Sequence, residues 1–275
     1  MRVAEHAVTF DLWQTLLFEK NGTETQRNAL RCRNLAETLA GLNIFISTNQ
    51  VKEALGQTIS DILKLWKKNK DLTHERQLKL LFKHATNSTK HVKSEWVKSL
   101  SAAYISGFVQ IPPYLNPDAR MLFQWLREHQ IRIGLICNTG LTPSKALREF
   151  LVKEKVAHFF DVMIFSNEVG IRKPDPRIFK LAQSKLRVEA NMIVHIGDNV
   201  VADVSGAKNA GLRAFHLMTK SGRDKCADED PSSLVSLSRA LGKETVKHMP
   251  PDAIIESLRE SIPILERLWF STIRS

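Results

Sequence analysis

Cysteine is scarce in this chain of 275 residues: only Cys32, Cys137 and Cys226 carry thiols. An odd number, with neither zinc-like nor redox spacing, excludes a disulfide framework and fits a reducing cytoplasm. Long apolar runs are missing as well. Charges break every stretch well short of a membrane span, so no transmembrane helix is expected. The opening M-R-V-A-E-H-A-V-T-F lacks the charged, apolar and small-residue succession of a secretion signal, and the expectation is a cytoplasmic protein. Internal repeats and low-complexity tracts are absent. Basic tracts interleaved with aromatics are absent too: the net charge is +11, but lysine and arginine are spread along the whole chain. That distribution speaks against nucleic-acid binding and for a solvated basic surface that draws in small anionic substrates.

What is present suits one large or two smaller domains with a full core. Ala7, Val8 and Phe10 read as a strand buried on both faces of a parallel sheet, and Asp11 stands at its end. A carboxylate there lies in the crevice where open α/β sheets bind ligands. A strand-terminal Asp is also, more often, a helix cap or a turn residue.

From about Phe18 to Pro113 the pattern is helical throughout. Residues Thr25–Ala40 set Ala29, Cys32, Ala36 and Leu39 on one face. Ser47 with Gln50 forms a capping box ahead of Val51, Leu55, Ile59, Ile62, Leu63 and Trp66. A third helix carries Leu78, Leu81, Phe82 and Ala85, and a fourth Trp96, Leu100, Ala103, Tyr104 and Phe108. Amphipathic helices with no strand between them make a small bundle, inserted after the first strand. Trp66, Trp96 and Tyr104 either line a substrate pocket or fill a core, as aromatics at helical spacing usually do.

Pro112, Pro113 and Pro117 mark the return linker. Beyond it helices Pro117–His129, Pro143–Val156, Pro176–Leu186 and Val201–Ala210 alternate with strands Ile131–Ile136, Val162–Phe165, Met192–Ile196 and Arg213–Leu217. Repeated units of this kind give an α/β fold with a doubly wound parallel sheet. Thr219–Asp230 is polar and turn-rich, Pro231–Leu241 reads as a short helix ended by Gly242, and Pro251–Phe270 contains another. These read as additions to the sheet edge.

Polar clusters fall where the strands end: L-I-C-N-T-G (Leu135–Gly140), H-I-G-D-N-V-V-A-D (His195–Asp203) and, a short loop beyond Phe165, R-K-P-D-P (Arg172–Pro176). With Asp11 they meet at one edge of one sheet. Gly197 permits a tight turn that sets Asp198 beside Asp11. Two carboxylates repel unless a cation lies between them, and hard oxygen ligands with retained waters suit Mg²⁺. Asp175 as N-cap and Pro176 as first helical residue fix Lys173 on a rigid turn, although a loop lysine is usually solvated. Backbone N–H groups between Cys137 and the helix starting at Pro143 can hold phosphoryl oxygens. Cys137 equally suits a small buried hydrophobe. Asn138 and Thr139 equally suit helix caps, and Asp203 the first turn of a helix.

The set D-L-W-Q-T-L, C-N-T-G, R-K-P-D-P and G-D-N-V-V-A-D, in this order and at these spacings, resembles the haloacid dehalogenase (HAD) superfamily over about Ala7–Leu217. The resemblance implies a Rossmann-like core from residues 1–17 and 114–275 and a helical, C1-type cap from 18–113. It further implies that Asp11 is a nucleophile, with Thr15 and Lys173 completing the catalytic set. By the same resemblance Cys137, Asn138 and Thr139 bind the substrate phosphate. Mg²⁺ is held by Asp11, Asp198 and the backbone carbonyl of Trp13, while Asp203 holds a metal-bound water.

Two positions depart from the family pattern. Its phosphatases carry a second aspartate two residues after the nucleophile, acting as general acid and base, and here that position is Trp13. Loss of that help costs roughly 10²–10⁴ in rate for a poor leaving group. Cys137 stands where the family has a phosphate-binding Ser or Thr, and a thiol is a weak donor. The leading expectation is Mg²⁺-dependent hydrolysis of a small phosphorylated metabolite. Trp13 also suits a metal-independent 2-haloacid dehalogenase, against which Asp198 counts, and with Cys137 it suits a degenerate member that only binds its ligand. Monomer and homodimer remain equally compatible with the sequence.

Overall fold

The computed structural model describes residues 5–87, 92–218, 241 and 247–270. At its centre lies β1 (Ala7–Phe10), buried at every residue. With no Gly or Pro to interrupt pairing, it is hydrogen-bonded in parallel on both edges. Val8 stands opposite Ile133 of β4 (Arg132–Cys137) and opposite Val194 of β6 (Ile193–Gly197). The parallel sheet is completed by β5 (Val162–Phe165), β7 (Arg213–Leu217) and β8 (Ala253–Ile255), in the order β5-β4-β1-β6-β7-β8.

The two-residue period of the strands divides the core into two layers. Val8 and Phe10 join Phe123 of α5 (Ala119–Glu128), Leu147 of α6 (Ser144–Lys153) and Leu265 of α10 (Ser261–Phe270). Ala7 joins Phe179 and Leu186 of α8 (Pro176–Leu186) and Ala207 of α9 (Gly206–Asn209) on the other face. Each such fully buried large side chain is worth about 1.5–3 kcal/mol, so these two layers hold the sheet and fix its open edge.

Between β2 (Leu17–Phe18) and β3 (Tyr114–Leu115), which pair antiparallel, the chain forms α1 (Thr23–Gly41), α2 (Thr48–Trp66), α3 (His74–Thr86) and α4 (Ser94–Gln110). These helices bury their own cluster, including Leu35, Leu39, Val51, Ile62, Leu78 and Tyr104. The Ser47–Gln50 capping box is formed. α4 crosses α1 at Gly107, where a Cβ would lie 2.5 Å from the Arg27 carbonyl oxygen, so only glycine allows that approach. Among the described residues no helix is long and apolar enough to cross a membrane.

Several expectations are corrected. On α1, Ala29 is exposed and the buried face holds Arg27, Arg31 and Leu35 with Cys32, Ala36 and Leu39. The expected helix Val201–Ala210 is instead π-helical over Val200–Ser205 before α9 begins, with the Asn199 side chain capping Val201 and Ala202. The helix expected from Pro117 starts at Ala119, because Asn116 turns inward. Its amide donates to the Thr15 carbonyl at 2.9 Å, and its side-chain oxygen accepts from the Asp118 N–H. Pro251–Phe270 opens with strand β8 before its helix. Tyr104 belongs to the helical core, Trp96 packs against it, and Trp66 is buried yet lines the cavity described below. The expected stretch Thr219–Asp230, with Cys226, and the helix Pro231–Leu241 fall outside the described residues, Leu241 apart.

Candidate active site

Because β1, β4, β5 and β6 run parallel, their carboxyl ends open on one edge, where the following residues surround a cavity of about 180 Å³. Asp11 leaves β1 with its N–H still bonded to the Ile196 carbonyl at 2.9 Å. Gln14 then takes a left-handed φ of 60°, and the N–H groups of Leu16 and Leu17 both return to the Leu12 carbonyl. This turn sends the chain into the helices and lays the Trp13 ring edge-on to Phe108, with centroids 6.3 Å apart.

Asp11, Asp198 and Asp203 each present a carboxylate oxygen within 4.8 Å of the others. Lys173 Nζ lies 2.6 Å from Asp11 Oδ1 and 2.6 Å from Asp203 Oδ1. Asp203 is further held by the Asn199 N–H at 2.9 Å and by His195 Nε2 at 3.2 Å. His195, fully buried, reaches Thr9 Oγ1 through Nδ1 at 2.9 Å. Gly197 is required here, because a Cβ at that position would collide with the Asp203 carboxylate.

Burial pushes the Asp11 carboxyl up to about 6, with Lys173 opposing the shift and Asp203 adding to it. Burial also works against ionisation of Asp203, but the ammonium of Lys173 and the contact to His195 outweigh it and hold Asp203 below the usual carboxylate range. Lys173, despite burial, is held above its ordinary value by Asp11 and Asp203. Burial lowers His195, so its neutral ring donates from Nε2 to Asp203 and accepts from Thr9 at Nδ1. Asp11 and Asp203 share the ammonium of Lys173, and half-buried Asp198 brings a third carboxylate within 4.8 Å of both; an all-oxygen donor set of this kind fits a hard divalent cation.

Asn138 sets the lysine loop: its amide donates to the Lys173 carbonyl at 2.9 Å and its oxygen accepts from the Lys173 N–H at 2.8 Å. Asn138 and Thr139 both line the cavity with Asp11, Trp13, Lys173, Asp198 and Asp203. Cys137 and Thr15 do not. Both are fully buried: Cys137 packs into the core beside Leu135 and Phe165, with its thiol pushed up by burial, and Thr15 Oγ1 has no hydrogen-bond partner.

Residues outside the motifs complete the surroundings. Asp71, between α2 and α3, accepts at Oδ2 from Arg172 Nη1 at 2.7 Å, from Ser166 Oγ at 2.5 Å and from Thr139 Oγ1 at 3.2 Å. Its Oδ1 accepts from Trp66 Nε1 at 3.1 Å, and Arg172 stacks 3.7 Å over the Trp66 ring. Backbone bonds Asp71 N–H to Gly170 and Arg172 N–H to Asn69 run alongside. The helices are thereby tied to the residue next to Lys173. A lone aspartate in K-N-K-D-L-T carries no signal of this. Arg27 and Arg31, one helical turn apart, also line the cavity; two arginines interrupting the apolar stripe of α1 were the available clue.

Residues 6–211 match the family model described as haloacid dehalogenase-like hydrolase. The glyceraldehyde 3-phosphate phosphatase of Methanopyrus kandleri is 30% identical over 228 residues, 82% of this chain and 87% of that protein. The phosphoserine phosphatase of Thermus thermophilus is 35% identical over 120 residues, 44% of this chain and 46% of its own length. A 2-haloacid dehalogenase structure from Pseudomonas syringae pv. tomato superposes with a TM-score of 0.63 at 20% identity, covering 96% of this chain and 99% of that one, which shows a shared fold alone. The aspartate-lined sheet edge and a family match that runs through all four motifs agree, and the chain belongs to the haloacid dehalogenase-like hydrolases.

Proposed function

We propose that this chain hydrolyses small phosphate monoesters with Asp11 as nucleophile and Mg²⁺ as cofactor, residues 18–113 serving as a cap over the site. The observation that carries this is the meeting of Asp11, Asp198 and Asp203 on the cavity wall, with Lys173 bridging Asp11 and Asp203. The names of the M. kandleri and T. thermophilus relatives support a small phosphorylated substrate.

In this mechanism the Asp11 carboxylate attacks phosphorus, the P–O bond to the leaving group breaks, and the acyl-phosphate formed is hydrolysed by water to phosphate and free Asp11. Lys173 neutralises the carboxylate and the phosphoryl oxygens, and Asn138 holds its loop in register. A bound divalent cation, held by Asp11, Asp198 and the Trp13 carbonyl with Asp203 behind, supplies charge neutralisation of the phosphate. Backbone N–H groups of the turn after Cys137 would meet the remaining oxygens, except that of Thr139, which donates to Ser166 Oγ at 2.8 Å. Trp13 offers no proton to the leaving oxygen, so substrates whose leaving groups depart unprotonated turn over fastest.

The test is p-nitrophenyl phosphate hydrolysis with Mg²⁺ or EDTA, alongside halide release from 2-chloropropionate. EDTA and Asp11→Asn are each expected to lower phosphate release by at least about 100-fold. Halide release, or phosphate release that ignores both treatments, sinks the proposal.

A further inference from the structure

Among the described residues, buried cations are mostly matched by carboxylates: Lys173 by Asp11 and Asp203, Arg172 by Asp71, Arg27 by Glu19. Arg31 is different. It is 2% exposed, and its guanidinium is held by neutral groups. Nε donates to the Tyr104 carbonyl at 2.8 Å, Nη1 donates to Asn28 Oδ1, and the Tyr104 ring lies 4.7 Å away; Glu24 acts on it electrostatically. Arg27, one turn earlier, keeps Nη2 buried with no hydrogen-bond partner. Both arginines, with Asn28, line the same cavity as Asp11 and Lys173. Desolvating a guanidinium is costly unless an anion meets it.

We infer that Arg31, assisted by Arg27, forms a subsite for a carboxylate on the substrate, at the other end of the molecule from the phosphate. This rests on the phosphate-monoester function proposed above. The arginine fork matches a planar carboxylate. Arg27 and Arg31 line the same cavity of about 180 Å³ as Asp11 and Lys173, so a phosphoryl group and a carboxylate on one small molecule can meet both sets of residues.

The experiment compares phosphoglycolate, which carries a carboxylate, with glycerol phosphate, which carries only hydroxyls. In the wild-type protein kcat/KM should favour phosphoglycolate by about 10-fold or more, and Arg31→Met should reduce that ratio by about 10–100-fold through KM. Arg31→Lys should give an intermediate ratio, because charge remains without the fork. Binding of both compounds to Asp11→Asn protein, measured by calorimetry, reads the subsite without turnover. There phosphoglycolate should bind at least about 10-fold more tightly. If the Asp11→Asn protein retains that preference and the wild type hydrolyses neither compound, the hydrolase proposal fails and the carboxylate subsite stands. Equal binding of the two compounds to Asp11→Asn protein, or a kcat/KM ratio unmoved by Arg31→Met, overturns the subsite. Should Arg31→Met fail to fold, the Asp11→Asn comparison and Arg31→Lys decide.

Discussion

Asp71 illustrates how much a single side chain decides. Its carboxylate has no exposed surface and accepts from Arg172, Ser166, Thr139 and Trp66, so it neutralises a guanidinium that burial otherwise makes costly. Asp71→Ala is expected to lose about 3–5 kcal/mol of stability, because Arg172 is left charged and unpaired inside the protein. Replacing Arg172→Met in the same protein should recover a large part of that loss. Urea unfolding of the wild type and these two variants measures both effects, and a wild-type midpoint for Asp71→Ala would show that the pair is not structural. Asp11 was legible as a candidate from its place at a strand end, whereas the Pro-Asp-Pro turn fixed only the loop of Lys173 and the family resemblance singled that lysine out. Asp71 was not, since nothing along the chain marks which loop meets Arg172 across a separation of 101 residues. Thr15 and Cys137 show the converse, as motif positions whose side chains the fold turns away from the cavity.

At the scale of elements, helix periodicity located α1 to α4, and Ser47 marked the start of α2. Propensity could not foresee the π-helical turn over Val200–Ser205, from which Asp203 reaches Lys173 and the Asn199 N–H. Within the helical unit, His74 opens α3 and packs edge-on to Tyr104 with centroids 5.1 Å apart. Burial lowers it to about 4, reinforced by Arg31. A base with a depressed folded-state value stays neutral when the unfolded chain is already protonated, so stability falls as pH drops from about 6.5 towards 4. Between pH 7 and 5 the loss from this residue is on the order of 2 kcal/mol. His74→Gln should flatten that part of the urea-stability profile; an unchanged slope would remove His74 as its source.

For the molecule as a whole, residues of the helices α1 and α2 and of the sheet edge line one cavity together. The β2–β3 pair brings the way into and out of residues 18–113 side by side, and the Asp71–Arg172 contact ties the far end of the helices to the sheet edge. A divalent cation held as proposed by Asp11, Asp198 and the Trp13 carbonyl would act on the folded state alone. Mg²⁺ at 100 times its dissociation constant should therefore stabilise by about 2.7 kcal/mol, a rise of roughly 5–10 °C in Tm. Thermal unfolding with Mg²⁺ or EDTA reads this directly, and Asp198→Asn should erase the shift. Equal melting of wild type in both conditions would argue against the cation site.

The identity of strands β1 and β4 to β7 and of helices α1 to α4, the order of the βα units and the edge at which the motifs gather were determined by the sequence itself, because two- and 3.6-residue periodicity and turn chemistry are local properties. Which carboxylates share Lys173, which motif side chains point into the core, and which arginines reach the cavity wall were decided by tertiary structure. Those facts depend on contacts between residues distant along the chain, whose burial and charge balance exist only once the sheet and the helical unit have closed on each other.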